Sequence, residues 1–195
     1  MDFCGGWKSN GKVFLIQKNE KTFTCSLPGK NIGLIFNNDL VVSEFEDTAQ
    51  RAGIGIYSPI GDGGSIYALW SSVSINGQLG SGIGLKCDES PGLEGEYNVR
   101  YFVRNQERGL FFAEIERTGN ESIYKLSWYV DNKKVLHGIG FLIKGSLAIA
   151  WGDINHKFDI NRFCYGIENG TEKLKRQTVR WDSLRIESND YIKVP

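Results

Sequence analysis

Residues His137–Gly152 read HGIGFLIKGSLAIAWG. Two apolar runs, Val135–Ile143 and Leu147–Trp151, flank the polar break Lys144-Gly145-Ser146. Runs this short, rich in Ile, Phe and Leu around a glycine-containing break, read as two antiparallel strands joined by a tight turn. A weaker version of the same hairpin, GLIFNNDLVVSEF, occupies Gly33–Phe45.

The rest of the chain repeats this logic. Phe23, Cys25 and Leu27 alternate with Thr22, Thr24 and Ser26, the pattern of a half-buried strand. Tyr97, Val99, Tyr101 and Val103 alternate with polar residues in the same way, as do Tyr124, Leu126, Trp128 and Val130. Asn37-Asn38-Asp39, Gly61-Asp62-Gly63-Gly64, Asn76-Gly77 and Asp131-Asn132-Lys133 supply the turns between them. No segment places apolar residues at helical spacing over three turns. The expectation is an all-β protein of about twelve short antiparallel strands in meander order, a barrel or a sandwich.

The 195 residues suffice for a buried core without staples. Lysine plus arginine equals aspartate plus glutamate, 23 of each, so no overall field draws the chain to nucleic acid or to anionic membrane. No apolar run is long enough to span a bilayer as a helix. The N-terminus, MDFCGGWKSNGK, shows no signal peptide, which points to the cytoplasm. A mature secreted chain behind an added methionine would read the same. Cys4, Cys25, Cys87 and Cys164 are scattered without C-x-x-C or histidine spacing, so zinc and other cofactors are not expected. Free, mostly buried thiols are the expectation, although two disulfides are arithmetically possible.

An internal repeat organises these elements. Gly33–Phe45 aligns without a gap on Gly140–Gly152, and Trp70–Ile75 falls on Trp181–Ile186 in a W-x-S-[VL]-x-I pattern. Gly53–Tyr57 matches Phe163–Ile167 between these anchors, and Phe14–Leu27 matches Ala113–Trp128 more loosely. Anchors in one order at a nearly constant shift imply a duplication. The halves are 1–88 and 92–195, with Cys87–Gly92 as the linker. They form either a single barrel or two packed half-barrels, within one compact unit.

Tyr97/Val99, Leu126/Trp128, Gly138/Gly140 and Leu147/Ile149/Trp151/Gly152 follow an order that resembles a bacterial group of lipocalin-like or avidin-like β-barrels of undefined activity. The resemblance covers Glu94–Asp153 well and the first half poorly, where Glu44 stands in place of the tryptophan. It implies an antiparallel meander whose interior has room for a small ligand.

Catalytic chemistry finds little support. There is no G-x-S-x-G, and the G-I-G motifs at Gly53–Gly55 and Gly138–Gly140 lack the helix a phosphate loop requires. Glu114 and Glu116 share a strand face opposite Ala113 and Ile115, as expected of a solvated face. Asn120-Glu121-Ser122 and Asn169-Gly170-Thr171 match the glycosylation sequon but mean little without a secretory signal. Five tryptophans and eight tyrosines point instead to a packed aromatic core or an aromatic-lined pocket. The expected function is a non-enzymatic barrel for a small apolar or aromatic ligand, its pocket lined by Trp128, His137, Trp151, Tyr165 and Trp181. The alternative is a structural or protein-interaction module with a fully packed core. Sequence leaves the oligomeric state open.

Overall fold

The computed structural model describes residues 2–62, 64–119 and 122–194. Five strands come first: β1 (Gly5–Ser9), β2 (Lys12–Asn19), β3 (Thr22–Cys25), β4 (Lys30–Phe36) and β5 (Asp39–Phe45). Eight follow: β6 (Ala52–Ile60), β7 (Ser65–Ser72), β8 (Gly80–Lys86), β9 (Gly95–Val103), β10 (Gln106–Arg117), β11 (Ile123–Val130), β12 (Lys133–Ile143) and β13 (Ser146–Asp153). The last three are β14 (Phe158–Glu168), β15 (Thr171–Val179) and β16 (Ile186–Lys193). A single 3-10 turn, Val73–Ile75, is the one helical element among the described residues, and none is long and apolar enough to cross a membrane as a helix.

Tight turns connect the strands. Asn37-Asn38, Arg104-Asn105, Asp131-Asn132, Lys144-Gly145 and Asn169-Gly170 each hold two successive residues at positive φ. That is the geometry of the two-residue hairpin loop whose twist matches its strands. The Gly61–Gly64 turn includes Gly63, and the Asn120-Glu121-Ser122 sequon includes Asn120 and Glu121; these three lie outside the described residues.

The all-β expectation holds, with sixteen strands among the described residues rather than about twelve. Two features contribute to the larger number. Gly5–Ser9 pairs as a strand despite its glycines. Leu174 and Ile186 fall on two separate strands, β15 and β16, because the chain turns at Trp181–Ser183 between them.

The strands close into two packed eight-stranded antiparallel barrels, consistent with the two β units expected. The first contains β1–β5 and β14–β16; β5 pairs with β14 (Leu40 opposite Phe163) and β16 with β1 (Lys193 opposite Trp7). The second is the unbroken run β6–β13, closed by β13 against β6 with Leu147 opposite Tyr57.

Residues 1–88 supply β1–β8 and residues 92–195 supply β9–β16, so each barrel takes five strands from one half and three from the other. Cys87–Gly92 therefore joins neighbouring strands of the second barrel, and no barrel boundary falls there.

The pairings of the two barrels correspond at several positions. Gly33 faces Val42 as Gly140 faces Ile149, and Gly5 faces Ile16 as Gly95 faces Ile115. Lys193 faces Trp7 as Lys86 faces Tyr97, and each lysine lies over its aromatic ring, Nζ to ring centre 5.6 and 5.5 Å. The same register aligns Tyr57 with Phe163 and Trp70 with Thr178, not with Trp181.

Three apolar cores result. One fills the first lumen around Trp7, Phe14, Phe23 and Phe163, and one lines the second around Tyr57, Tyr97, Trp128 and Trp151. The third is a seam where outer walls of the barrels meet, through Ile54, Ile139, Ala148, Ala150, Phe158 and Ile160. β5 and β13 bury residues on both faces, one toward a lumen and one toward the seam. That is why LAIAWG reads as a continuous apolar run: a strand covered on both sides has no polar face to alternate with.

Candidate functional site

The second lumen contains a cavity of about 240 Å³. Tyr57 of β6, Trp70 of β7, Tyr101 of β9, Phe111 of β10, Trp128 of β11 and Trp151 of β13 form its aromatic wall. Leu136 of β12 completes the wall, and Arg51, Ser74 and Arg108 also line it. A second recess shares Trp70, Ser74 and Arg108 with the cavity. Strand alternation carries these side chains to one interior, because every second residue of a barrel strand faces the lumen.

Glycines make room for the rings. A Cβ on Gly80 would lie 2.2 Å from Trp70 Cε2, and one on Gly82 would lie 2.8 Å from Tyr101 Cδ1. β8 is thus a bare wall against which two large side chains lean. The rings meet mostly edge to face: Trp70 and Tyr101 have centroids 6.0 Å apart at 81°, and Tyr101 and Phe111 5.7 Å apart at 67°. Trp151 lies 6.3 Å from both Trp70 and Trp128.

A short polar chain crosses this apolar lining. Trp128 Nε1 donates to Tyr101 Oη at 2.7 Å, and the hydroxyls of Tyr101 and Tyr57 are 2.9 Å apart. Burial pushes the Tyr101 phenol up to about 12 and raises that of Tyr57 well above the ordinary value, so both stay neutral. Trp70 Nε1 donates to the Ser81 carbonyl at 3.0 Å. The Trp151 indole N–H is buried and has no hydrogen-bond partner among the described residues. Of the two arginines, Arg51 is tied to Asp153, Nη2 to Oδ1 at 2.6 Å, whereas Arg108 has no ion-pair partner among the described residues.

The matching end of the first barrel is filled by a polar cluster. Register places Glu44, Asn161, Arg176 and Thr178 where the second barrel has Trp151, Gly55, Ala68 and Trp70. Arg176 Nε and Thr178 Oγ1 donate to Asn161 Oδ1 at 2.9 and 2.7 Å, and Arg176 Nη2 lies 3.5 Å from Glu44 Oε2. Two side chains that frame a hollow in one barrel thus correspond to two that close an ionic and hydrogen-bonded plug in the other.

The five residues expected to share a pocket divide three ways. Trp128 and Trp151 stand together in the cavity wall. His137, next to lumen-facing Leu136, points outward into the seam, where its Nε2–H donates to the His156 carbonyl at 3.0 Å. Its ring packs against Trp181 and Phe158, with centroids at 4.3 and 5.0 Å, and burial holds its pKa below the ordinary histidine value. Trp181 belongs to that seam cluster. Tyr165 lies in the first barrel, edge-on to Phe3 and Trp7 at 6.2 Å each.

Tyr57, Trp70, Tyr101, Phe111 and the two arginines join the site beyond that expectation. For Tyr101 the signal was present in its shared strand face with Tyr97 and Val99. For Tyr57 and Trp70, closure of β6 against β13 was required, and no local pattern announces it. Glu114 lies on the outer wall and accepts from the Tyr129 hydroxyl at 3.0 Å. No cluster of three or more metal-ligating side chains occurs among the described residues. A scan of the chain against protein-family models, and searches of curated proteins and of solved structures, find no match.

Proposed function

We propose that the chain is a binding protein that takes a small apolar or aromatic molecule into the lumen of its second barrel and performs no chemistry on it. The carrying observation is the 240 Å³ aromatic-lined space, at an end where the first barrel has a polar plug. Its volume lies just under the roughly 300–1,000 Å³ common for ligand pockets, which favours a ligand of one or two rings. The titratable groups lining it are two arginines and two phenols held neutral, a poor set for acid–base catalysis at neutral pH.

The same reading makes the chain a duplicated lipocalin-like unit, repeats 1–88 and 92–195, that has exchanged its last three strands between copies. The registers at Gly5/Gly95, Gly33/Gly140 and Lys193/Lys86 support it. One copy kept an interior for a ligand and the other filled it. Four free thiols suit a reducing compartment such as the cytoplasm. The alternative role, a protein-interaction module, draws on Tyr67, Ile83 and Leu85, exposed apolar residues of neighbouring strands β7 and β8.

Thermal unfolding with and without 2-naphthalenemethanol, in the wild type and in Leu136→Trp, tests the proposal. Saturable stabilisation of the wild type and none of the cavity-filled variant is the expected result. No stabilisation of either, or equal stabilisation of both, would contradict a lumen site and favour the interaction module.

A further inference from the structure

Among the described residues, the cavity has a surplus of hydrogen-bond donors and no acid. The triad of Trp128, Tyr101 and Tyr57 contains three polar protons, one indole N–H and two hydroxyls. Its two internal hydrogen bonds use two of them. Whichever hydroxyl donates within the pair, the other keeps a proton with no acceptor inside the triad. The Trp151 N–H is a further buried donor without a partner, in the same wall. Leaving a buried donor unsatisfied is unfavourable, so such donors mark places where an acceptor is missing.

Charge points the same way. Arg108 lines both the cavity and the adjoining recess and has no ion-pair partner among the described residues. Arg51 also lines the cavity, its charge already offset by Asp153. Among the described residues, no aspartate or glutamate lines the cavity to neutralise Arg108. An apolar neutral ligand would leave the buried donors unanswered and offer nothing to the solvent-exposed guanidinium at the rim, whereas a ligand with a carboxylate supplies acceptors for the donors and a partner for the charge.

Resting on the binding role proposed above, we infer that the ligand is an aromatic carboxylate, its ring among Trp70, Trp128 and Trp151 and its anionic oxygens directed to Arg108. The guanidinium fork suits a carboxylate because it offers two parallel N–H donors.

Quenching of tryptophan emission by 2-naphthoate and by neutral 2-naphthalenemethanol, in the wild type and in Arg108→Gln, tests this. The two probes share a ring system and differ in the charged group. The expected result is about tenfold tighter binding of the carboxylate than of the alcohol by the wild type, a preference that Arg108→Gln abolishes. Equal or tighter binding of the alcohol by the wild type would overturn the anionic ligand and leave the lumen site standing. A carboxylate preference that survives in Arg108→Gln would overturn the assignment to Arg108. Failure of both probes to bind would overturn the inference together with the binding role beneath it.

Discussion

The hydroxyls of Tyr57 and Tyr101 meet at 2.9 Å inside the second barrel, although one residue comes from the first half of the sequence and the other from the second. Their contact depends on the exchange of strands between halves: β6 reaches this lumen only because it closes against β13. The candidate site therefore draws its wall from both halves of the sequence.

That dependence predicts the behaviour of a nicked protein. A protease site inserted between Ser90 and Pro91, in the partly exposed loop joining β8 to β9, would divide the chain between its two halves. Both barrels contain strands from each fragment, so the nicked protein is expected to elute as one particle with near-native circular dichroism and to separate only in denaturant. Two species eluting separately without denaturant would contradict the strand order.

Gly5 and Gly95 occupy corresponding positions with φ of +119° and +124°, a conformation that L side chains rarely adopt. Alanine at either should cost about 1–3 kcal/mol. At Gly95 the added Cβ would also lie 2.4 Å from Asp88 Oδ1, and Asp88 accepts from the Glu96 amide at 3.0 Å. Urea denaturation should therefore find Gly95→Ala less stable than Gly5→Ala.

The plug of the first barrel should respond as an ion pair largely withdrawn from water. Glu44→Ala leaves the mostly buried Arg176 without its carboxylate and is expected to lower stability by about 1–3 kcal/mol. Replacing both residues, as Glu44→Leu with Arg176→Met, should recover part of that loss, since no charge is then left unpaired. Chemical denaturation of the single and double variants reads the difference directly.

His137 predicts a pH dependence. Burial, the larger influence, and the Lys134 charge lower its pKa in the folded state, against the opposing hydrogen bond to the His156 carbonyl. As pH falls below the ordinary value of 6.5, the unfolded chain takes up the proton first. Stability present above that pH is lost progressively as the pH falls through the folded-state value. Urea midpoints between pH 7.5 and 5 should decline more steeply for the wild type than for His137→Gln, whose amide can still donate to the carbonyl.

Much of the architecture is legible in the sequence. Alternation in TFTC and YNVRYFV marks strands, Asn and Gly pairs mark the hairpin loops, and the Gly33/Gly140 alignment coincides with the structural register. The exchange of β6–β8 for β14–β16 is not legible, because a repeat shift is the same whichever copy of β5 pairs with β6. Trp128 and Trp151 were readable as lumen residues from the strand faces they share with Leu126 and Ile149. His137 was not: its strand is buried on both faces, so a polar residue there carries no sign of which side it faces. Trp181 misled for a related reason. Its motif resembles that of Trp70, yet it lies in the turn after β15, while Trp70 lies within β7.

The five tryptophans offer a reporter for each region of the molecule. Trp70, Trp128 and Trp151 line the cavity, Trp7 lies in the first lumen and Trp181 in the seam. The indole N–H region of a proton–nitrogen correlation spectrum, recorded as 2-naphthoate is added, tests the central claim most directly. The account predicts that the three cavity signals shift together to saturation while those of Trp7 and Trp181 stay in place; unmoved cavity signals, or shifts confined to Trp7 or Trp181, would contradict it.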